Sequence, residues 1–140
     1  MQKRKANVIQ ATYATFIAVG LGGALGAMFR YAISLWSVQR LEALMPSAAL
    51  VGTLIANAVG AFLIGVLFVV ITEKGLIAES WRPLLVVGFL GALTTFSTFS
   101  LEAVGLLQQG EWLTAMVYVL GSVIICLFLT WAGIELARWY

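Results

Sequence analysis

Charges are so sparse along this chain, and so unevenly placed, that they divide it into four apolar stretches long enough to cross a bilayer. A spanning helix needs about 20 predominantly apolar residues and tolerates few charges. The first charge-free stretch runs from Ala6 to Phe29 and, continued past Arg30 toward Trp36, predicts a helix over 12–35. The second lies between Glu42 and Glu73, has Pro46 and Ser47 as its start signal, and covers 48–72. Ser80-Trp81-Arg82-Pro83 opens the third, over 84–108, because Ser80 can cap and Pro83 fits a first helical turn. The fourth follows Gly110-Glu111 and covers 112–139. Trp36, Trp81, Trp112 and Trp139-Tyr140 fall where these segments meet the headgroups, as an aromatic belt requires. The expected fold class is an all-α integral membrane protein, one four-helix transmembrane domain over 1–140.

Composition closes off most other chemistry. With 62% of residues apolar and 10% charged, the chain is far from the roughly one quarter charged of a soluble domain. A net charge of +2 is too small for a nucleic-acid binder. There is no histidine, so His-based catalysis and His-ligated metals are excluded, and Cys126 alone makes neither an internal disulfide nor a thiolate cluster. Lys3-Arg4-Lys5 before an apolar run is also how a signal peptide starts, but the run exceeds a signal h-region and three more spans follow. The side of the N-terminus holds Lys3, Arg4, Lys5, Lys74, Arg82 and Arg138, against Arg40 and Arg30. That bias puts both termini in the cytoplasm. Without the three N-terminal charges the two sides come closer to balance, which allows insertion either way round.

Polar residues inside such a chain carry its function, since a buried hydroxyl or amide without a partner costs roughly 1–3 kcal/mol. In the first span Gly20-Leu21-Gly22-Gly23-Ala24-Leu25-Gly26 precedes Arg30-Tyr31. No strand comes before it and the spacing misses the dinucleotide fingerprint, so Gly22 and Gly26 read as a close-packing face. Arg30 either snorkels to the headgroups or supplies positive potential at the mouth of a water-filled cavity. In the second span Gly52, Ala56 and Gly60 form another small-residue face beside Asn57. Asn57 reads as interhelical glue worth on the order of 0.6 kcal/mol, or as a donor to a passing anion.

The third span is the least ordinary. Five of the seven residues from Thr94 to Ser100 carry hydroxyls: Thr94, Thr95, Ser97, Thr98 and Ser100. Such runs compete for backbone hydrogen bonds, so an irregular or broken helix is expected, and irregular backbone at membrane depth must be buried in protein or line a cavity. Phe96 and Phe99 share a face if the segment is helical, and ring edges are electropositive, so the pair either contacts a small anion or simply packs. Glu102 follows as vestibule group, snorkel or ion-pair partner. In the fourth span Tyr118, Ser122, Cys126 and Thr130 recur every four residues, a polar track that serves as packing glue or as a pore wall.

The Gly-rich first span ending in Arg30-Tyr31, the run Gly52-Thr53-Leu54 with Asn57 and Gly60, and Gly88-Phe89-Leu90-Gly91 leading into Thr94-Thr95-Phe96-Ser97-Thr98-Phe99-Ser100 together resemble the Fluc (CrcB) fluoride channel family. The resemblance covers all four spans. It implies a fluoride-selective channel in a microbial cell membrane, the inner membrane in a Gram-negative source, that exports fluoride passively and protects against its toxicity. It implies an antiparallel, dual-topology homodimer with a broken third helix and two pores. Phe96, Phe99 and Asn57 match family residues facing fluoride, and Tyr118, Ser122 and Thr130 fall on the family's polar track, with Thr95, Ser97 and Thr98 beside them. Arg30 matches a vestibule residue, near which Glu102 is placed. The carbonyls of Gly91 and Thr94 match those that hold a structural sodium ion at the dimer centre. Cys126 departs from the family, standing where a small hydroxyl residue is more usual.

Two other classes compete. A small multidrug transporter needs a membrane-embedded carboxylate in its first span, and no acid precedes Glu42. A non-transporting scaffold would use all four clusters as packing glue. An enzyme is disfavoured, because these residues assemble no nucleophile, base and acid with solvent access.

Overall fold

The computed structural model describes the backbone of residues 2–43 and 47–140 and the side chains of 12–43 and 47–140. It is helical throughout, in the order α1 (Gln2–Leu41), α2 (Ala48–Phe68), α3 (Gly91–Leu93), α4 (Phe96–Gln108) and α5 (Trp112–Trp139). Four segments are long and apolar enough to span a membrane: Thr12–Leu41, Ala48–Glu73, Glu79–Gln108 and Trp112–Trp139. The chain is a multi-pass membrane protein. The N-terminal Lys3-Arg4-Lys5 side chains and Pro46 lie outside the described residues.

Helix ends follow local chemistry, with some departures from expectation. α1 runs on past 35 to Leu41, since neither glycine nor proline stands between. Ser47 holds the N-cap of α2 without a side-chain cap bond. α2 continues as a wide turn over Val69–Glu73, in which the Lys74 N–H reaches the Val69 carbonyl, and Gly75 ends it at φ 62°. Ser80 is not the cap of the third span. It sits inside a short 3-10 turn, Glu79–Trp81, capped by Ala78, and Pro83 then opens a wide turn over Pro83–Leu90. Thr94 and Thr95 are extended between α3 and α4, at ψ 151° and 115°. Gly110, at φ 80°, closes α4: its N–H donates to Leu107 and that of Glu111 to Leu106, a Schellman ending.

Packing rests on small residues, as expected where lipid is as apolar as leucine and helices gain by close approach. Gly22 and Gly26 of α1 lie against the backbone at Leu84 and Phe89. Gly65 of α2 faces the Thr130 carbonyl, and Gly133 of α5 faces that of Phe62, so these two helices meet backbone to backbone. Large apolar side chains such as Phe16, Leu113 and Leu127 point outward instead. Outside the hydrophobic interior, Arg138 grips Glu73 with two hydrogen bonds of 2.9 and 2.6 Å, tying the end of the second span to the end of α5.

Ser37 of α1 is fully buried, and its hydroxyl donates to the Ala48 carbonyl at 2.5 Å where α2 begins. A Ser37→Ala exchange should cost about 1 kcal/mol, the net value of one such bond. Thermal unfolding in detergent, followed by tryptophan fluorescence, should show a lower midpoint; an unchanged one removes Ser37 as a tether.

Candidate ion pathway

The extended step at Thr94 and Thr95 organises the site. A helix would direct the Thr95 N–H at the Gly91 carbonyl, but here it donates to Asn57 Oδ1 at 2.7 Å. Asn57 Nδ2 returns a bond to the Thr95 carbonyl at 3.2 Å, so one amide holds both backbone groups of one residue. The Thr95 hydroxyl caps α4, accepting from the Thr98 N–H at 3.2 Å and donating to Thr98 Oγ1 at 3.0 Å, with Ser97 Oγ at 3.2 Å. The Thr98 N–H is therefore unavailable to the Thr94 carbonyl. Thr94 turns its own hydroxyl back to the Leu90 carbonyl at 2.9 Å. Arg30 reaches the same step from α1, its Nε donating to the Ala92 carbonyl at 3.0 Å.

The two phenylalanines have different surroundings. Phe99 is 8% exposed and packs on Tyr118 with ring centroids 5.2 Å apart, whereas Phe96 is 79% exposed, with its centroid 5.6 Å from that of Phe99. Tyr118 donates to Glu102 Oε2 at 2.6 Å, and Thr53 donates to Oε1 at 2.8 Å. Among the described residues, Glu102 is thus held by hydroxyls and not by an ion pair. Farther along α5, Ser122 Oγ is buried with no hydrogen-bond partner among the described residues, while the Thr130 hydroxyl donates to the Cys126 carbonyl at 3.0 Å.

An open cavity of about 490 Å³ joins many of these groups. Asn57, Thr95, Phe96, Phe99, Ser122 and Thr130 line it, as do Gly91, Thr94 and Cys126. Ser97, Thr98, Tyr118, Glu102 and Arg30 stand outside its lining and reach it through neighbours. Thr53, which the sequence offers only as part of the run Gly52-Thr53-Leu54 and without a role of its own, proves to hold Glu102. Its position one helical turn before Asn57, on the same face of α2, was the available signal.

Comparison with known proteins shows which family the chain resembles. A family model described as CrcB-like protein, Camphor Resistance (CrcB), matches residues 17–134. A relative from Hahella chejuensis is 50% identical over 122 residues, 87% of this chain and 93% of its own length. One from Saccharophagus degradans is 48% identical over 111 residues, 79% of each chain. Another, from Geobacter metallireducens, is 47% identical over 124 residues, 89% of this chain and 97% of its own. All three relatives carry the name fluoride-specific ion channel FluC. With the match extending through every membrane span, the chain belongs to the CrcB family.

Proposed function

We propose that this protein is a fluoride channel that lets fluoride leave the cytoplasm down its gradient and so lowers its toxicity. The observation that carries the reading is 47–50% identity, over most of both chains, to relatives named fluoride-specific ion channel. The chemistry of the cavity supports it. Fluoride is small and tightly hydrated, so a selective path must offer donors in place of water. Ser122 supplies a hydroxyl with no partner among the described residues, and Asn57 retains an amide proton beyond the one given to Thr95. The edges of Phe96 and Phe99 add positive potential while keeping the path narrow and dry. Arg30 and Glu102 flank the path as vestibule residues, and Tyr118, Thr95, Ser97, Thr98 and Thr130 complete its polar wall. The process is conduction, without enzymatic turnover.

In this reading the working unit is an antiparallel homodimer, inserted in both orientations, with the third span broken at Thr94 and Thr95. Polar groups such as Asn57 and Thr95 in a mostly apolar cavity are unfavourable facing lipid, and a second copy laid over the exposed Phe96 closes it. The Gly91 and Thr94 carbonyls fit a sodium ion as oxygen donors, because the Thr95 and Thr98 N–H groups that a continuous helix would aim at them are bonded elsewhere. Two copies together would supply both pairs of carbonyls, and a sodium held there contributes a fixed positive charge.

The test is reconstitution into liposomes loaded with fluoride or chloride, with efflux read by ion-selective electrodes and a potassium ionophore dissipating the voltage. Fluoride release without chloride release is expected; no release of either from vesicles holding folded protein overturns the reading. In the same assay Phe96→Ile and Phe99→Ile should each slow fluoride efflux about twofold to tenfold, matching the roughly 0.5–1.5 kcal/mol of an aromatic contact. Wild-type rates in both variants would remove the rings from the path.

A further inference from the structure

We propose that Arg82 and its counter-ion Glu79 tune entry to the ion path, Arg82 drawing anions through a second cavity toward the one at Thr94 and Thr95, and Glu79 setting how strongly it draws. The proposal rests on the fluoride-channel reading and adds a pair of residues to which that reading gives no part.

The second cavity, of about 190 Å³, lies between the second and third spans, and Ile64 and Val86 line both it and the larger cavity. The two cavities therefore adjoin. Along the second span the larger one takes Asn57 through Ile64, and the smaller one continues from Ile64 to Thr72. Along the third span the smaller one takes Arg82 and Val86, and the larger one continues from Val86 to Thr94 and Thr95. At 1.5 Å per residue Thr72 stands about 20 Å along from Asn57. It is one residue short of the end of the second span, and Arg82 is close to the start of the third, beside the exposed Trp81. The smaller cavity thus runs from headgroup level inward to the groups that break the third span.

Charge gives this cavity its part. Among the described residues Arg82 is the charged residue that lines either cavity, and apart from Thr72 the rest of the smaller lining is apolar. Low-dielectric walls focus the field of a charge and raise the local concentration of its counter-ion. The other cations at this end are used elsewhere: Arg138 holds Glu73 and Glu135, and Lys74 donates to the Arg138 carbonyl. Arg82 has one side-chain partner among the described residues, Glu79, whose Oε1 accepts from Nη1. Both side chains of that pair are exposed, so it is weakly held, and the guanidinium keeps further N–H groups for a passing anion. Glu79 nevertheless subtracts from the field that Arg82 projects. Removing one member of the pair should therefore do the opposite of removing the other.

The experiment measures efflux of dilute fluoride from proteoliposomes for the natural protein, Arg82→Gln, Arg82→Lys and Glu79→Gln, counted per folded protein by gel filtration. Potassium gluconate is present on both sides at about 10 mM or about 1 M, where the Debye length is about 30 Å or about 3 Å, and a potassium ionophore dissipates the voltage. In the dilute salt Arg82→Gln should be about twofold to fivefold slower, the order of one unit charge at 4 Å in water. Glu79→Gln should be faster by a similar factor, and Arg82→Lys should stay near the natural rate. In concentrated salt the four rates should converge. A packing role for the pair predicts neither a gain in Glu79→Gln nor a loss that salt removes. A natural rate in Arg82→Gln at low salt, a deficit that persists in concentrated salt, or a Glu79→Gln variant no faster than the natural protein would each overturn the proposal, and the last of these decides it even where Arg82→Gln does not fold. A natural protein that releases no fluoride would overturn the channel reading, and the entrance with it.

Discussion

Asn57→Ala should reduce fluoride efflux by at least about thirtyfold. The Asn57 amide is the partner of both the N–H and the carbonyl of Thr95, at 2.7 and 3.2 Å. Alanine leaves both backbone groups short of a partner, at about 1–3 kcal/mol each, so the extended step loses at least about 2 kcal/mol relative to a helical alternative. Relaxation toward helix would return the Thr95 N–H to the Gly91 carbonyl, move the Thr95 cap off α4 and shift Phe96 and Phe99 together. Asn57→Asp separates holding from conduction. A carboxylate still accepts from the Thr95 N–H but gives nothing to the carbonyl, and it places negative charge beside the proposed anion path. That variant should melt closer to the natural protein than Asn57→Ala does and yet conduct no better. Efflux restored by aspartate would mean that Asn57 only holds backbone; natural efflux in alanine would remove it from the mechanism altogether.

What the sequence disclosed, and what it hid, divides along a physical line. Four spans were readable because lipid excludes charge, and Arg30 and Glu102 are the charged residues lying well inside the spans. That Ser122, Cys126 and Thr130 share the cavity was readable because four-residue spacing returns a side chain to nearly the same face of a helix, though Tyr118 at the same spacing stands outside the lining. Hydrogen-bond partners were not readable, since a polar residue in lipid must find one but its sequence does not say where. Asn57 pairs with a residue 38 positions away, and Glu102 takes its two hydroxyls from α2 and α5. The same holds for the contact between α2 and α5, because Gly65 and Gly133 each stand without a second glycine four residues away. Ser80 misled for a local reason: it is a good cap residue, but it falls inside the 3-10 turn Glu79–Trp81, and the next helical segment opens three residues later, at Pro83, with Arg82 as its cap.

Gly26→Ala should prevent stable folding, whereas Gly20→Ala, six residues earlier on the same helix, should be tolerated. A methyl group at Gly26 would meet the Phe89 carbonyl oxygen and carbon and the Leu93 nitrogen, all backbone atoms of the segment before the Thr94 step. No rotamer change relieves such a clash, so α1 must move away from that segment at a cost of about 1–3 kcal/mol or more. At Gly20 an added methyl group meets nothing within 4 Å among the described residues, and alanine gains roughly 1 kcal/mol of helix propensity instead. The damage at Gly26 reaches the proposed ion path as well. Arg30 is one turn farther along α1 and donates to the Ala92 carbonyl at 3.0 Å, so a displaced α1 withdraws a positive charge from the extended step. Gel filtration and thermal unfolding in detergent separate the two variants. Gly26→Ala should aggregate or melt well below the natural protein, and Gly20→Ala should melt at or above it. Equal midpoints would mean that the approach of α1 to the third span is looser than its backbone contacts require, and Arg30 would then lose its fixed place at Ala92.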